Sequence, residues 1–257
     1  MGILLYSCSS DDDNADTFID GKLTRWVNEL YFYFPNSDTP VLDERIEYII
    51  RDNKIVFSQR GGSFVYDDDG NLIEHIIDAN QKYVYRYSDD KLTVYVDEYQ
   101  SPDGSNYTLS IPDFVTKHFD ERGNLILQTD ASTGTSNQAD YIYLYDSNNN
   151  LIESYWTKKG VDRSRYKFRH SDQPNPAYEV INNTFGIKNY WLTLINFDEL
   201  IAITLSPNLV EEVIDEGSLV VSENEFSTND VLIRNKHTFY AQQSTPQFES
   251  RNEFFYD

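Results

Sequence analysis

The 257-residue sequence is poor in several residue types, and each shortage excludes a class of protein. Its single cysteine, Cys8, excludes an internal disulfide. No run of about eighteen apolar residues occurs, so no segment can span a membrane as a helix. Lysine and arginine total 21 against 43 aspartates and glutamates, which gives a formal net charge of −22. This charge argues against nucleic acid as a partner, because like charges repel.

Motifs of catalysis and metal binding are also missing. The four histidines have no His or Cys neighbour at metal-ligand spacing: His75, His118, His170 and His237. A calcium loop needs an oxygen ligand five residues before its glycine, but Val65 and His118 stand at that place before Gly70 and Gly123. The sequence also has no nucleophile elbow and no phosphate-binding loop. We therefore predict no catalytic residue, no metal site and no cofactor.

What the sequence does contain is a recurring turn motif and a 15% share of aromatic residues. Residues 66–73 are Tyr-Asp-Asp-Asp-Gly-Asn-Leu-Ile, residues 119–126 and 145–152 repeat them closely, and residues 87–92 are a weaker copy. The aromatic residue ends a strand, and the aspartate starts a turn by bonding its own backbone. Glycine or asparagine then adopts a positive φ, and Leu-Ile begin the next strand. The motif predicts a series of β-hairpins.

The spacing of these units predicts one all-β domain over residues 21–257. Successive units lie about 20 to 30 residues apart, which is typical of repeated supersecondary units. We expect an antiparallel meander of hairpins that forms a single curved sheet, a half-barrel or a sandwich. Residues 190–205 are apolar without alternation and receive no assignment, and residues 208–215 are interpreted as a short helical turn.

The N-terminus has the features of a lipid-modified tether. Residues 5–8, Leu-Tyr-Ser-Cys, resemble a bacterial lipobox, and the serine-rich, acidic residues 9–16 are similar to the surface-export signal of Bacteroidota lipoproteins. This resemblance implies a solvated tether over residues 1–20 and a lipid on Cys8 that anchors the protein, surface-exposed, in the outer membrane. However, no basic residue precedes Cys8, and the apolar stretch is short. The alternative is a chance cysteine in a frayed terminus.

The repeated units resemble YD repeats of the RHS type, which are β-hairpin repeats of bacterial surface and secreted proteins. Together with the lipobox-like start, they resemble the uncharacterised YD-repeat lipoproteins of Bacteroidota. The resemblance covers roughly residues 60–180, and the last forty or so residues loosely. It implies a fold and a surface location rather than a chemistry.

The predicted function is that of a cell-envelope binding or interaction module without catalysis, with a glycan or a protein as ligand. One alternative is a carbohydrate-binding protein that stacks exposed aromatic rings on sugars, with Trp26, Trp156 and Trp191 as candidates. Of these, we expect Trp156 to be nearest the surface; the other interpretation places all three in the core. A second alternative is a hydrolase with paired carboxylates. The sequence predicts no oligomeric state.

Overall fold

The computed structural model describes residues 22–34, 39–131, 138–194, 202–214, 218–241 and 245–257, in which the chain forms sixteen strands and three helices. The first eight strands are β1 (Leu23–Phe32), β2 (Val41–Arg51), β3 (Lys54–Ser58), β4 (Gly62–Tyr66), β5 (Leu72–Ile76), β6 (Gln81–Tyr87), β7 (Thr93–Gln100) and β8 (Thr108–Phe119). The next four are β9 (Leu125–Asp130), β10 (Ala139–Tyr145), β11 (Leu151–Lys158) and β12 (Val161–Pro174). Three helices follow, α1 (Pro176–Phe185), α2 (Ile187–Thr193) and α3 (Ala202–Leu205), and then β13 (Asn208–Val213), β14 (Ser218–Phe226), β15 (Leu232–Ala241) and β16 (Thr245–Tyr256).

The sixteen strands form one closed antiparallel barrel. Each strand pairs with its neighbours in sequence, and β1 closes the ring against β16 from Leu23 opposite Tyr256 to Phe32 opposite Phe248. The prediction of an all-β antiparallel fold is confirmed, whereas the single curved sheet, half-barrel or sandwich is wrong. The resemblance to YD-repeat lipoproteins is also wrong, because the units are hairpins of a closed ring rather than of an open ribbon.

The repeated motif makes its turns through a pair of side chains. Asp67 Oδ1 accepts from the backbone N of Asn71 at 2.7 Å, and Asn71 Nδ2 donates to Asp67 Oδ2 at 2.8 Å. Asp120 with Asn124 and Asp146 with Asn150 form the same two bonds. Between the partners, the residue before the asparagine has a positive φ: Gly70 at 83°, Gly123 at 85° and Asn149 at 71°. The aspartate therefore fixes the turn, and the glycine or asparagine relieves its backbone strain.

The tyrosines of the motif join neighbouring hairpins. Tyr87 OH donates to the carbonyl O of Leu72 at 2.7 Å, and Tyr145 OH donates to that of Leu125 at 3.0 Å. Both acceptors are the first strand residue of a preceding unit, and both leucine side chains are fully buried. The units that begin at Tyr87 and Tyr145 are therefore each bonded to the one before, which helps to hold these hairpins in register.

The helices between β12 and β13 lie inside the ring of strands, at the end where the repeated turns lie, and we call α1, α2 and α3 together the plug. Tyr85 OH on β6 donates to the carbonyl O of Leu192 at 3.0 Å. Trp26 on β1, across the barrel, has its ring centroid 5.5 Å from that of Tyr190. Contacts with walls so far apart in the ring require an element within it. The short helical turn interpreted over residues 208–215 is wrong, since β13 occupies residues 208–213.

Side chains alternate between the face that meets the plug, called the inner face, and the opposite outer face. In β1, Trp26 and the residues two, four and six positions later point inward, while Val27 and Glu29 point outward. The outer face carries ion pairs on strands around the ring, such as Lys82 with Glu74 at 2.7 Å and Arg86 with Asp97 at 2.7 Å. The outer wall therefore carries charged pairs alongside exposed apolar side chains such as Ile126 and Leu144.

Candidate functional site

The structure does not bring the sequence-predicted site residues together. Trp26 and Trp191 are 1% and 2% exposed and belong to the core, as the alternative interpretation expected. Trp156 on β11 is half-buried on the inner face, with its ring centroid 6.2 Å from that of Tyr141. Cys8 lies outside the described residues. Ligand binding at these positions stays a prediction, although two of the three indoles have no face open to a sugar.

A concave surface lies instead on the outer face of β14, β15, β16 and β1. This outer groove has a volume of about 450 Å³. Its lining side chains are Val27, Glu29, Glu223, Glu225, Arg234, Lys236, Arg251 and Glu253, with Asn224, Asn235 and Asn252 between them. The asparagine side chains point inward, so these three residues contribute backbone to the groove.

Two rows of directly opposed residues set the charge pattern of the outer groove. The first row is Glu223, Lys236, Arg251 and Glu29, and the second is Glu225, Arg234, Glu253 and Val27. Lys236 Nζ lies 2.8 Å from Glu223 Oε1. Arg234 holds two acids, with nitrogens 3.2 Å from Glu225 Oε2 and 3.0 Å from Glu253 Oε1, and the same two carboxylates raise its pKa. In both rows, acids therefore flank the central cations of the groove.

One wall of the outer groove contains a buried carboxylate, Glu249, which is 2% exposed. Arg251 Nε donates to it, and so do Tyr33 OH at 3.0 Å and Thr238 Oγ1 at 3.4 Å. Burial and the bond to Glu249 raise the pKa of Tyr33 to about 12. The guanidinium of Arg251 also lies 4.1 Å above the ring centroid of Tyr31. Arg251 is therefore fixed in place before any ligand arrives.

Each glutamate that lines the outer groove has a donor beside it. Glu29 accepts from Tyr31 OH at 2.7 Å and from Arg45 Nε at 3.1 Å, and the other three are held by Arg234 or Lys236. Such a surface presents donors and acceptors at fixed spacing, which suits recognition of a polar ligand. In the described part of the chain, no group of three or more His, Cys, Asp or Glu residues could hold a metal ion.

Sequence reasoning missed the residues of this site, although a signal is present. Four segments share the form X-Asn-X with a charged residue on at least one side: residues 27–29, 223–225, 234–236 and 251–253. In a strand, the flanking residues point one way and the asparagine the other. Four such triplets predict a charged face backed by an amide face, once their strands are known to be neighbours.

A buried lysine holds the plug. Lys117 on β8 is fully buried, and its Nζ donates to the carbonyl O of Trp191 at 2.5 Å and to that of Leu194. Both carbonyls belong to the C-terminal end of α2, where a cation is favourable. Burial lowers the pKa of Lys117 to about 7. We assign this lysine to the attachment of α2 rather than to chemistry.

Comparisons with known proteins do not assign the chain to a family. Among the described residues, no helix has the length and apolar character needed to cross a membrane. No family model matches the chain, and no curated protein matches it. Of the solved structures, a porin-like protein from Bacteroides uniformis has 9% identity and a TM-score of 0.38, over 91% of this chain and 96% of that one. A porin-like protein from Bacteroides vulgatus has 13% identity and a TM-score of 0.25, over 93% and 99%.

Proposed function

We propose that this protein is a cell-envelope binding module, tethered at the outer membrane by a lipid on Cys8, that binds a polar partner in the outer groove without catalysis. The observation that carries the proposal is the groove itself, a concave surface in which carboxylates flank central cations over four strands. Such a pattern selects a partner by the placement of its own charges and hydrogen-bonding groups.

The outer wall supports attachment through a lipid rather than through the strands. A strand that spans a bilayer needs about 9 to 11 residues, with an apolar outer band. Here β3, β4 and β5 have 5 residues each, and charged side chains such as Glu74, Arg86 and Arg234 point outward. A lipid on Cys8 would anchor the protein without requiring these strands to cross the bilayer.

The arrangement of the glutamates supports binding over hydrolysis. A glycoside hydrolase needs one carboxyl group kept protonated, usually by apolar surroundings, opposite a second that is ionised. In the outer groove, by contrast, Glu225 and Glu253 share one guanidinium, that of Arg234. Neither carboxyl group therefore has the apolar surroundings of a catalytic acid, and the shared cation suits ligand recognition.

The tether can be tested by metabolic labelling. When the chain is expressed with a complete lipoprotein signal in a bacterial host, we expect radioactive palmitate to label the wild type. The Cys8→Ala variant should carry no label and should leave the membrane fraction, because the single cysteine is the acceptor. An unlabelled wild type would contradict the lipid anchor but would not bear on ligand binding in the outer groove.

The outer groove can be tested with two matched arginines. Arg234→Ala should weaken binding to a ligand from glycan and charged-peptide arrays about tenfold, because it removes the central cation of the groove. The control is Arg169→Ala on β12. Arg169 is 57% exposed with two glutamate partners, and Arg234 is 59% exposed with two.

Both arginine variants should keep their stability within about 1 kcal/mol, because exposed ion pairs contribute little. Equal loss of binding in the two variants, or no array ligand at all, would contradict a role for the groove.

A further inference from the structure

The inner faces of β14, β15, β16 and β1 carry three polar or aromatic rows, directly behind the outer groove. The row nearest the plug is Asn224, Asn235, Asn252 and Asn28. The next row is Ser222, His237, Ser250 and Leu30, and the row nearest the far mouth is Val220, Phe239, Phe248 and Phe32. We call the space that these rows border the luminal recess.

The asparagine row is one chain of hydrogen bonds. Asn235 Nδ2 donates to Asn224 Oδ1 at 2.6 Å, and Asn252 Nδ2 donates to Asn235 Oδ1 at 3.3 Å. Asn28 Nδ2 in turn donates to Asn252 Oδ1 at 2.9 Å. Within the described residues, nothing accepts from Asn224 Nδ2 or donates to Asn28 Oδ1. The chain therefore ends in one donor and one acceptor.

Burial shows which side chains of the luminal recess reach solvent. Asn28, Asn224, Ser222 and Ser250 point inward from their strands and are only half-buried. The side chains of Asn235, His237 and Phe239 on β15, by contrast, are each 1% exposed. A ligand in the recess could therefore reach the two end amides and the two hydroxyls.

The four strands that border the luminal recess present no charged side chain to it, in contrast to the groove on the other side of the same wall. The middle row continues on β2 with Glu44, which pairs with Arg60. On the four strands, the three rows contain amides, hydroxyls, one imidazole and apolar side chains. Burial lowers the pKa of His237 to about 4, so the ring is uncharged at neutral pH, with Nδ1 2.8 Å from Ser222 Oγ. At the mouth, Phe32 is 42% exposed and packs 6.2 Å from Phe248 between ring centroids. The recess thus combines fixed amides with an open aromatic rim.

From these features we infer that the luminal recess binds a neutral saccharide of at least two sugar units. Amides and hydroxyls match sugar hydroxyls, which both donate and accept, and an aromatic ring packs against the apolar face of a sugar. Asn224 and Asn28 stand three strands apart, about 14 Å, which is longer than one sugar ring. The inference depends on neither the tether nor the outer groove.

The test compares two phenylalanines on opposite faces of the wall. The probes are chitobiose, cellobiose and maltose, with a glucuronate disaccharide as the charged comparator, and binding is measured by calorimetry and saturation-transfer NMR. We expect a neutral disaccharide to bind, and Phe32→Ala to weaken it tenfold or more. Phe57→Ala, which is matched at 41% exposure but lies on the outer face of β3, should leave binding unchanged.

A second variant tests the amide end of the luminal recess. Asn224→Asp retains the oxygen that accepts from Asn235 but loses the amide donor, so it should also weaken the neutral ligand tenfold or more. The inference is overturned if no neutral disaccharide binds, if the glucuronate comparator binds best, or if Phe57→Ala weakens binding as much as Phe32→Ala. It is also overturned if Arg234→Ala abolishes binding while Phe32→Ala does not, because the ligand would then lie in the outer groove.

Discussion

Replacing Trp191 with alanine is expected to lower the free energy of unfolding by about 4 kcal/mol, the range found for a large buried aromatic residue. The indole is 2% exposed and packs edge-on against Tyr143, with ring centroids 4.9 Å apart. Its loss would leave a cavity between α2 and β10, because the backbone of α2 is held by Tyr85 and Lys117 and cannot collapse inward. Urea unfolding at neutral pH measures the change.

Trp156→Ala is the matched control for this prediction. Trp156 is half-buried and contacts Tyr141 at the longer centroid distance of 6.2 Å, so its removal should cost about 1 to 2 kcal/mol. The two side chains have the same chemistry, but Trp191 belongs to the plug whereas Trp156 lies on β11. Equal destabilisation by the two substitutions would show that the plug adds nothing to the stability of the barrel.

The hairpins of this fold were predictable because their information is local. Each turn needs an aspartate, a residue that tolerates positive φ and an asparagine within about five positions, as Asp67, Gly70 and Asn71 show. The strand alternation was equally local. Leu125 and Leu151 are fully buried, while the isoleucines that follow them are 40% and 38% exposed.

The closure of the barrel and the position of the plug were not predictable, because the information that specifies them is not local. The seam between β1 and β16 joins residues such as Trp26 and Asn252, 226 positions apart, and no local feature of either strand specifies the partner. The first plug helix, α1, has an ordinary amphipathic pattern, with Ala177, Val180, Ile181 and Phe185 buried and Glu179, Asn182 and Asn183 exposed. Nothing in that pattern indicates that the buried face lies inside a ring of strands. The burial of Lys117 was also not predictable from its residue type, since lysine is almost always at the surface.

The candidate sites depend both on local residue patterns and on the pairing of strands that are distant in sequence. The X-Asn-X triplets are visible in the sequence, yet they become a charged face and an amide face only when β14, β15, β16 and β1 lie side by side. The tryptophans are candidates for ligand binding by their chemistry alone, and the structure buries Trp26 and Trp191 in the core. Without the pairing of distant strands, residue type cannot distinguish a ligand-binding ring from a packing one.

Mild acid is expected to destabilise the protein through its buried histidines. Burial lowers the pKa of His75, His170 and His237 to about 4, against 6.5 for an exposed histidine. Between pH 6.5 and 4 the unfolded chain therefore binds protons that the folded barrel does not, and stability falls as the pH falls through this window. Each histidine contributes about 3 kcal/mol to the loss when the whole window is crossed.

His237→Gln should remove the part of this pH dependence of stability that comes from His237. Between pH 7 and pH 4.5, urea unfolding should show the wild type losing about 2.5 kcal/mol more than the variant. The carboxylates whose pKa values are lowered, such as Asp97 beside Arg86, lose their contribution only at more acidic pH, so they do not confuse the comparison. If His237→Gln keeps the wild-type slope, the imidazole of His237 takes up its proton inside the folded barrel, and the neutral character assigned to the luminal recess is wrong.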